Sequence, residues 1–228
     1  MGLQPLAALA PQYAAHLCVL TRTHSVAHGF TSGPAGITLQ TAMNTPRPAI
    51  PQADLRESLL PALRALLPAS SVLENEEDQR PYECDGLSAY RQLPGLVVLP
   101  ETIGEVQKIL ALCSEYRVPV VARGAGTGLS GGALPHADGV LLSLAKFNRI
   151  LEIDPLNRTA TVQPGVRNLA ISEAAAPHGL YYAPDPSSQI ACSIGGNVAE
   201  NAGGVHCLKY GLTVHNLLGL KFVTIDGE

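Results

Sequence analysis

Glycine is concentrated in this sequence where its backbone freedom could serve a ligand. The run Arg123-Gly-Ala-Gly-Thr-Gly-Leu-Ser-Gly-Gly132 places five glycines within residues 124–132, directly after a predicted buried strand. Glycine lets the backbone approach a ligand closely, and successive N–H groups in such a loop form a concave site for phosphate oxygens. A merely flexible turn is the alternative, but it does not require this density of glycine. The run therefore predicts a phosphate-binding loop.

The surroundings of this loop argue against the two best-known nucleotide-binding loops. Gly126 to Gly131 satisfies G-x-G-x-x-G, but a Rossmann loop opens a helix and has an acidic residue roughly 20 positions later. Here Gly132 and Pro135 disrupt any helix, and the next predicted element is a strand over 139–144. A Walker A loop ends in Gly-Lys-Ser/Thr, which this run lacks. The sequence therefore predicts phosphate binding in a different fold.

A second run, Pro184 to Gly204, interleaves small residues with polar ones. The polar residues are Asp185, Ser187, Ser188, Asn197 and Asn201. A flat heteroaromatic ligand needs close backbone approach and a few well-placed amides and hydroxyls. Without a ligand the segment would be a long loop, which compact domains seldom keep without a function. We therefore interpret it as the second half of a binding site.

The two runs together resemble the vanillyl-alcohol-oxidase-type FAD-binding family. The resemblance is carried by residues 123–132, by 192–204 and by Lys209-Tyr-Gly211, and it extends from about Arg80 to the last residue. Within the family it is greatest to the flavin subunits of bacterial glycolate oxidases, which are related to D-lactate and D-2-hydroxyglutarate dehydrogenases. It implies an α+β fold of the PCMH-type FAD-binding class, incomplete at its C-terminus.

The resemblance also implies the residues that hold FAD. The pyrophosphate would be bound through main-chain N–H groups of Gly124, Ala125, Gly126, Thr127, Gly128 and Leu129. The flavin side of the site would be lined by Pro184, Asp185, Ser188, Cys192, Gly195, Gly196, Asn197 and Asn201.

The activity implied by the resemblance is oxidation of glycolate or another 2-hydroxy acid, such as D-lactate, with hydride transfer from the α-carbon to FAD. The implied partners are an iron–sulfur subunit and a second flavin-type subunit, with a cytoplasmic location or peripheral attachment to the inner membrane through them. The catalytic acid and base residues of the family are expected beyond Glu228, so residues 1–228 alone are expected to be inactive. A stand-alone nucleotide-binding module without redox activity is the alternative.

Composition excludes other classes of function. The 15 basic and 19 acidic residues give a net charge of −4, whereas nucleic-acid binding favours a basic surface. Five cysteines without a C-x-x-C pair indicate free thiols rather than a disulfide framework. The spacing of Cys192 and Cys207 fits no zinc pattern, and His206 and His215, nine positions apart, do not define one, so we expect no metal. A role for His206 near the flavin ring remains open, and Tyr181 and Tyr182 are interpreted as packing residues.

Three regions follow from the distribution of these signals. Residues 1–53 contain no Asp or Glu and are interpreted as a disordered or artefactual extension, with a targeting segment as the alternative. Residues 54–94 form a helical lead-in, with a helix over 54–67 and an acidic loop over 74–78. Residues 95–228 form the partial FAD-binding domain.

Periodicity and capping predict the elements that position the two runs. Thr102 and Glu105 form a capping box that begins a helix, which ends at about Arg117. Its apolar face is Val106, Ile109, Leu110 and Cys113. Strands are predicted over 96–99, 118–122, 139–144, 150–153 and 159–162, and a helix over 168–176. The last strand runs into a hairpin turn at Asp226-Gly227.

The residue at position 127 gives a first prediction. Some members of the family attach flavin covalently through a histidine in the glycine run, and Thr127 stands nearest to that position here. Because a threonine hydroxyl cannot form that link, we expect FAD to be bound non-covalently. Acid precipitation should release the yellow colour into the supernatant. Flavin absorbance that stays with the washed pellet would contradict this.

Overall fold

The computed structural model of the protein describes residues 55–228 and the backbone of Gln4–Pro5 and Leu17–Val19. The other residues of the expected N-terminal extension lie outside the described residues. The strands are β1 Gln4–Pro5, β2 Leu17–Val19, β3 Val72–Leu73, β4 Leu96–Val98, β5 Val120–Arg123, β6 Val140–Ser143, β7 Ile150–Asp154, β8 Thr159–Val162, β9 Leu180–Tyr181 and β10 Lys221–Val223. The helices are α1 Leu60–Leu66, α2 Glu76–Gln79, α3 Ile103–Glu115, α4 Asn168–Ala175, α5 Ile194–Glu200 and α6 Cys207–Tyr210.

A four-stranded sheet in the order β3-β4-β6-β5 forms the centre of the first layer. β3 is antiparallel to β4, whereas β4 and β5 both run parallel to β6, with Val97 and Val121 each opposite Leu141. Every residue of β4 and β6 is buried, which explains why both strands are continuous apolar runs. The carboxyl ends of β5 and β6 therefore meet at one edge of the sheet, and the first glycine run begins there. Three of the predicted strands lie in this sheet, as β4, β5 and β6, and the mixed α+β class is confirmed.

Helix α3 covers one face of this sheet as its sequence predicts. The Glu105 N–H donates to the Thr102 hydroxyl at 3.2 Å, and the Glu105 carboxylate accepts from the Thr102 N–H at 3.1 Å. This confirms the capping box. All four residues of the predicted apolar face, Val106, Ile109, Leu110 and Cys113, are fully buried. Burial raises the pKa of the Cys113 thiol to about 12, so this cysteine packs as a small apolar side chain.

The lead-in region differs from its prediction in two places. The helix expected over 54–67 begins as a π-helical turn, Leu55–Leu59, and becomes α-helical only at α1. Pro61 lies in the first turn of α1, where the N–H group that proline lacks would have no partner within the helix. The prediction of an acidic loop over 74–78 was wrong in part, because the short helix α2 begins within this segment. Its acidic residues lie in the first turn, where carboxylates favour the helix dipole.

A second, smaller layer carries the second polar run. β7 and β8 form an antiparallel pair, and α4 follows β8. The apolar residues that pack together here are Val162, Val166, Ile171, Ala175, Leu180 and Ile194. An isolated antiparallel bridge joins Arg167 to Ser193, so the start of α4 is tied to the residue that precedes α5.

The last described residues form the predicted turn. The Gly227 N–H donates to the Thr224 carbonyl at 3.0 Å, and Gly227 has a φ of +85°, which favours glycine. Gln107 of α3 donates its side-chain N–H to the Gly227 carbonyl at 3.0 Å. β10 pairs in parallel with β2, and β9 pairs in parallel with β1. Among the residues that the structure describes, no helix combines the length and apolar composition needed to cross a bilayer.

The buried central strands give a prediction about stability. Leu142 of β6 has no exposed surface, whereas Leu156, in the turn between β7 and β8, is 95% exposed. Leu142→Ala should lower the free energy of unfolding by about 2–5 kcal/mol because it leaves a cavity in the core. Leu156→Ala, with the same chemical change, should alter it by less than about 0.5 kcal/mol. Urea unfolding followed by circular dichroism measures both, and equal effects would show that β6 is not a core strand.

Candidate cofactor-binding site

The first glycine run, residues 124–132, leaves the sheet at the carboxyl end of β5 and is called the glycine loop below. Two of its glycines have positive φ: Gly126 at +69° and Gly131 at +77°. At Gly126 a β-carbon would also overlap the guanidinium group of Arg123. Gly126 is therefore fixed by both backbone conformation and space. At Gly131 nothing lies within 4 Å of a built β-carbon, so only the conformation favours glycine there.

The loop presents a row of backbone donors. None of the hydrogen bonds among residues 55–228 uses the N–H groups of residues 125–129. The carbonyl of Gly128, by contrast, accepts from the Gly86 N–H at 2.8 Å, which fixes the loop from its other side. Successive N–H groups without a protein acceptor are the arrangement that binds phosphate oxygens.

Arg123 supports the loop from beneath. This residue is only 8% exposed, and its guanidinium donates to the carbonyls of Cys84 at 2.7 Å and Ala133 at 3.3 Å. The guanidinium carbon also lies 5.7 Å from the centre of the Tyr82 ring. Burial lowers the pKa of Arg123, while Cys84, Tyr82 and Asp85 act to raise it. Arginine titrates so high that the group remains a cation.

The second run meets the glycine loop through α5. A β-carbon on Gly124 would overlap the hydroxyl of Ser193 and would lie 3.7 Å from the Gly196 nitrogen. At the other end of α5, the carboxylate of Glu200 lies 3.7 Å from the β-carbon position of Gly128. The helix thus runs alongside the loop, and the structure brings the two glycine runs together. No helix was predicted within 184–204, and the structure adds α5 to that segment.

Two buried amides connect the second run to α4. Asn168 donates from its side chain to the Pro184 carbonyl at 3.0 Å, and Asn197 donates to the Asn168 side-chain oxygen at 2.9 Å. Asn168 has no exposed surface and Asn197 is 4% exposed. Buried amides that satisfy one another in this way fix the geometry of the segments they join. Asn197 therefore donates one side-chain N–H to Asn168, and Asn168 in turn fixes Pro184.

The remaining predicted residues of the second run also have local contacts. The Gly195 N–H donates to the Pro164 carbonyl at 2.8 Å, and a β-carbon there would lie 2.7 Å from the Pro164 ring. Asn201 ends α5 with a φ of +51°, and its side-chain oxygen accepts from the Val214 N–H at 3.1 Å. The Ser188 carbonyl accepts from the Cys192 N–H at 2.8 Å. These residues shape the run by packing and turn geometry.

Asp185 is held by His206. The carboxylate contacts the His206 ring nitrogen Nδ1 at 2.6 Å and accepts from the His206 backbone N–H at 3.2 Å. Partial burial raises the pKa of Asp185, but the hydrogen bonds from His206 outweigh it, so the pKa lies below its ordinary value. This pair joins residues 184–186 to the start of α6. The His206 side chain is 62% exposed, and it is bound to the run rather than buried in a core.

The other residues considered at the sequence level have structural positions. His215 accepts from the Leu212 N–H at 3.0 Å through Nδ1. Burial raises the pKa of Tyr182 to about 12, and its backbone N–H donates to the Ser172 hydroxyl at 3.0 Å, as suits a packing residue. Within residues 55–228, no group of three His, Cys, Asp or Glu side chains lies close enough to hold a metal ion.

Sequence reasoning missed three residues at this site: Arg123, Asn168 and Ser193. The hydroxyl of Ser193 is buried and has no hydrogen-bond partner among the described residues. A buried donor without a partner is costly, so its position beside Gly124 points to an acceptor supplied by a ligand. The sequence did contain a signal for Ser193: it directly precedes Ile-Gly-Gly, and serine is a common residue at the start of a helix. Asn168 gave no signal, because a buried amide is defined by partners that the sequence does not reveal.

Comparisons with known proteins agree with this arrangement. The sequence matches the family described as FAD binding domain over residues 94–228. The chain is 68% identical over 180 residues to the glycolate oxidase subunit GlcD of Escherichia coli (strain K12), covering 79% of this chain and 36% of that protein. It is 46% identical over 147 residues to the subunit of the same name from Bacillus subtilis (strain 168), covering 64% and 31%. The chain thus spans about a third of the length of the relatives that it matches.

Solved structures show the same fold. The 6-hydroxy-D-nicotine oxidase of Arthrobacter nicotinovorans superposes with a TM-score of 0.61 at 24% identity, over 72% of this chain and 35% of that one. This likeness confirms the predicted fold class, the vanillyl-alcohol-oxidase-type (PCMH-type) FAD-binding fold. The glycine loop is followed by β6 and not by a helix, as expected for a loop that is not of the Rossmann type.

The site fits FAD by its own geometry. A diphosphate needs several donors in a small concave region, and the N–H groups of residues 125–129 are available to supply them. The Ser193 hydroxyl adds a buried side-chain donor beside Gly124. The second run, fixed through Pro184 and Asp185, lies beside this loop and carries the polar groups that a site for a flat heteroaromatic ring uses.

Gly126 and Gly179 provide a matched test of the loop, because both have positive φ and only Gly126 lies in it. Gly126→Val and Gly179→Val each force a side chain into a conformation that costs about 1–3 kcal/mol of folding free energy. Only Gly126→Val also displaces the Arg123 guanidinium, since nothing lies within 4 Å of a β-carbon at Gly179. We therefore expect it to weaken FAD binding by about tenfold or more relative to Gly179→Val, because charge-assisted hydrogen bonds are lost. Titration by flavin fluorescence measures the two affinities, and equal affinities would place the diphosphate elsewhere.

Proposed function

The chain belongs to the FAD binding domain family, and from that premise we propose that it is the FAD-binding part of a 2-hydroxy-acid oxidoreductase of the glycolate-oxidase type. The observation that carries the proposal is the row of backbone N–H groups at residues 125–129, placed against α5 and the second polar run. The 68% identity to a glycolate oxidase subunit supports the choice of substrate class.

Each part of the site has a separate task in this proposal. The N–H groups of Gly124 to Leu129 and the Ser193 hydroxyl bind the diphosphate. The Asn168–Asn197 pair holds Pro184, and His206 holds Asp185, so that the second run keeps its shape against the flavin ring. Ser188, Cys192, Gly195, Gly196 and Asn201 complete the wall on the flavin side. Bound FAD supplies the two-electron acceptor, and it is held non-covalently.

The substrate we propose is glycolate or D-lactate, oxidised at the α-carbon. The E. coli relative is described as a subunit of glycolate oxidase, which supports partner subunits for the whole protein. We propose an iron–sulfur subunit and a second flavin-type subunit as those partners, with a cytoplasmic location or attachment to the inner membrane through them. The catalytic acid and base belong to the portion of the relatives that this chain does not match.

A stand-alone nucleotide-binding module without redox activity is the second candidate function. It rests on the same glycine loop, since N–H groups that bind the diphosphate of FAD could bind that of another nucleotide. The second polar run separates the two candidates, because a module that binds only a nucleotide does not need a polar wall shaped for a flavin ring.

A chimaera with the E. coli relative tests the proposed activity. Residues 54–228 of this chain replace the matching segment of the E. coli glycolate oxidase subunit, expressed with its natural partners. We expect the chimaera to retain FAD and to reduce a dye with glycolate, because the replaced segment would supply only cofactor binding. A second chimaera with Gly126→Val is the control, and it should lose both flavin absorbance and dye reduction.

The possible results separate the candidates. Full flavin content without dye reduction by glycolate or D-lactate would contradict the 2-hydroxy-acid proposal. Loss of flavin with retained binding of ADP would favour the nucleotide-binding module. Residues 1–228 alone, incubated with FAD, should show flavin bands that glycolate does not bleach, and bleaching would place catalytic residues before Glu228.

A further inference from the structure

Residues 82–87, here called the lead segment, lie against the glycine loop although they are separated from it by β4, α3 and β5. The Gly86 N–H donates to the Gly128 carbonyl at 2.8 Å. A β-carbon on Gly86 would lie 2.7 Å from the Thr127 carbonyl oxygen and 2.8 Å from that of Gly128. Only glycine permits this approach, so the two backbones are in direct contact.

Asp85 is the side chain that joins the two segments. One carboxylate oxygen accepts from the Leu87 N–H at 2.8 Å and fixes the turn of the lead segment. The other accepts from the Gly131 N–H at 2.8 Å, near the end of the glycine loop. Asp85 is only 7% exposed, so water competes little for these bonds. The carboxylate therefore connects a rigid turn to a loop rich in glycine.

We propose that Asp85 is a positioning residue, which holds the glycine loop in its FAD-binding conformation before FAD arrives. The inference rests on the proposed FAD binding and adds how the loop is kept ready for it. Asp85 acts through Gly131 and is not assigned a contact with the cofactor.

The need for such a residue follows from the composition of the loop. Glycine has more backbone freedom than any other residue, and five glycines lie within residues 124–132. If the binding conformation is only a fraction of the population, the apparent affinity falls by that fraction. The sheet fixes the loop at Arg123, and the Asp85–Gly131 bond fixes it at the other end. These anchors fix the loop at both ends, while the N–H groups of residues 125–129 make no hydrogen bond to residues 55–228.

The charge of Asp85 and its hydrogen bond to Gly131 should have opposite effects on FAD affinity. The sign of the change in affinity on substitution therefore tests the inference. A carboxylate near a diphosphate repels it, so removal of the Asp85 charge alone should strengthen FAD binding. If Asp85 instead holds the loop, removal of its bond to Gly131 should weaken binding. Arg123, the buried cation beside Asp85, reduces the repulsion. We therefore expect positioning to outweigh charge.

Asp85→Asn in the full 228-residue chain separates the two effects. The asparagine side chain has only one acceptor oxygen, so it cannot accept from both the Leu87 N–H and the Gly131 N–H, and the link between the lead segment and the loop is lost. Asp154→Asn is the matched control, since Asp154 accepts from the Leu156 and Asn157 N–H groups in an exposed turn away from the site. Two quantities are measured for each variant: the FAD dissociation constant, and the hydrogen-exchange rates of the Gly86 and Leu134 N–H groups without ligand.

We expect Asp85→Asn to weaken FAD binding by about tenfold to 100-fold, the size of effect that loss of a charge-assisted hydrogen bond produces. The Gly86 and Leu134 amides, which donate to Gly128 and Gly131 of the loop, should exchange faster by a similar factor. ADP, which contains the diphosphate, should lose affinity to the same extent. Asp154→Asn should change neither quantity.

Unchanged or stronger FAD binding by Asp85→Asn would overturn the inference. Weaker binding with unchanged exchange would also overturn it, because Asp85 would then act on the cofactor directly. If Asp85→Asn does not fold, Gly86→Ala is used as the second variant. Its methyl group would displace the glycine loop while the Asp85 carboxylate stays in place. FAD affinity that is unchanged in Gly86→Ala would overturn the inference. Failure of the unsubstituted chain to bind FAD would instead overturn the proposed function, so the two failures are distinguishable.

Discussion

The close approach of Gly124 to Ser193 is the constraint on which the site depends. No side chain fits between the backbone at the carboxyl end of β5 and the residue that precedes α5. The contact joins two layers with separate apolar cores, one under the four-stranded sheet and one between β8 and α4. Because the two glycine runs meet there, the proposed donors for a diphosphate and the proposed wall for a planar ring come from different layers. Glycine at 124 is thus as much a requirement of packing as of binding.

The charges around the loop show how the site can bind an anion within an acidic protein. Asp85 and Glu200 both lie beside the loop, and Arg123 is the buried cation among its contacts. The chain as a whole carries a net charge of −4. In the proposed site, attraction of phosphate would therefore depend on backbone N–H dipoles in a fixed loop more than on net positive charge. Such a site discriminates by shape, because the dipoles act only over short distances.

Much of the fold could be predicted because the signals were local. The capping box of α3, its apolar face, and the apolar strands β4 and β6 are each encoded by neighbouring residues. The glycine loop was recognisable for the same reason. The roles of Asn168, Ser193 and Asp85 depend on partners distant in sequence, which no period or spacing reveals. Helix α5 was missed because two glycines at its start weaken its helical propensity, and packing on Pro164 outweighs that cost.

The strand order has a consequence for how the chain is made. β6 lies between β4 and β5, although it follows both in the sequence. While residues 124–139 are being synthesised, β4 and β5 have no common partner, and their apolar residues await the central strand. At the usual speed of translation this interval lasts roughly one to three seconds. Residues 124–139, which include the glycine loop, are therefore also the connection that returns β6 to its place between β4 and β5, and the length of this connection sets how soon the nascent sheet can close.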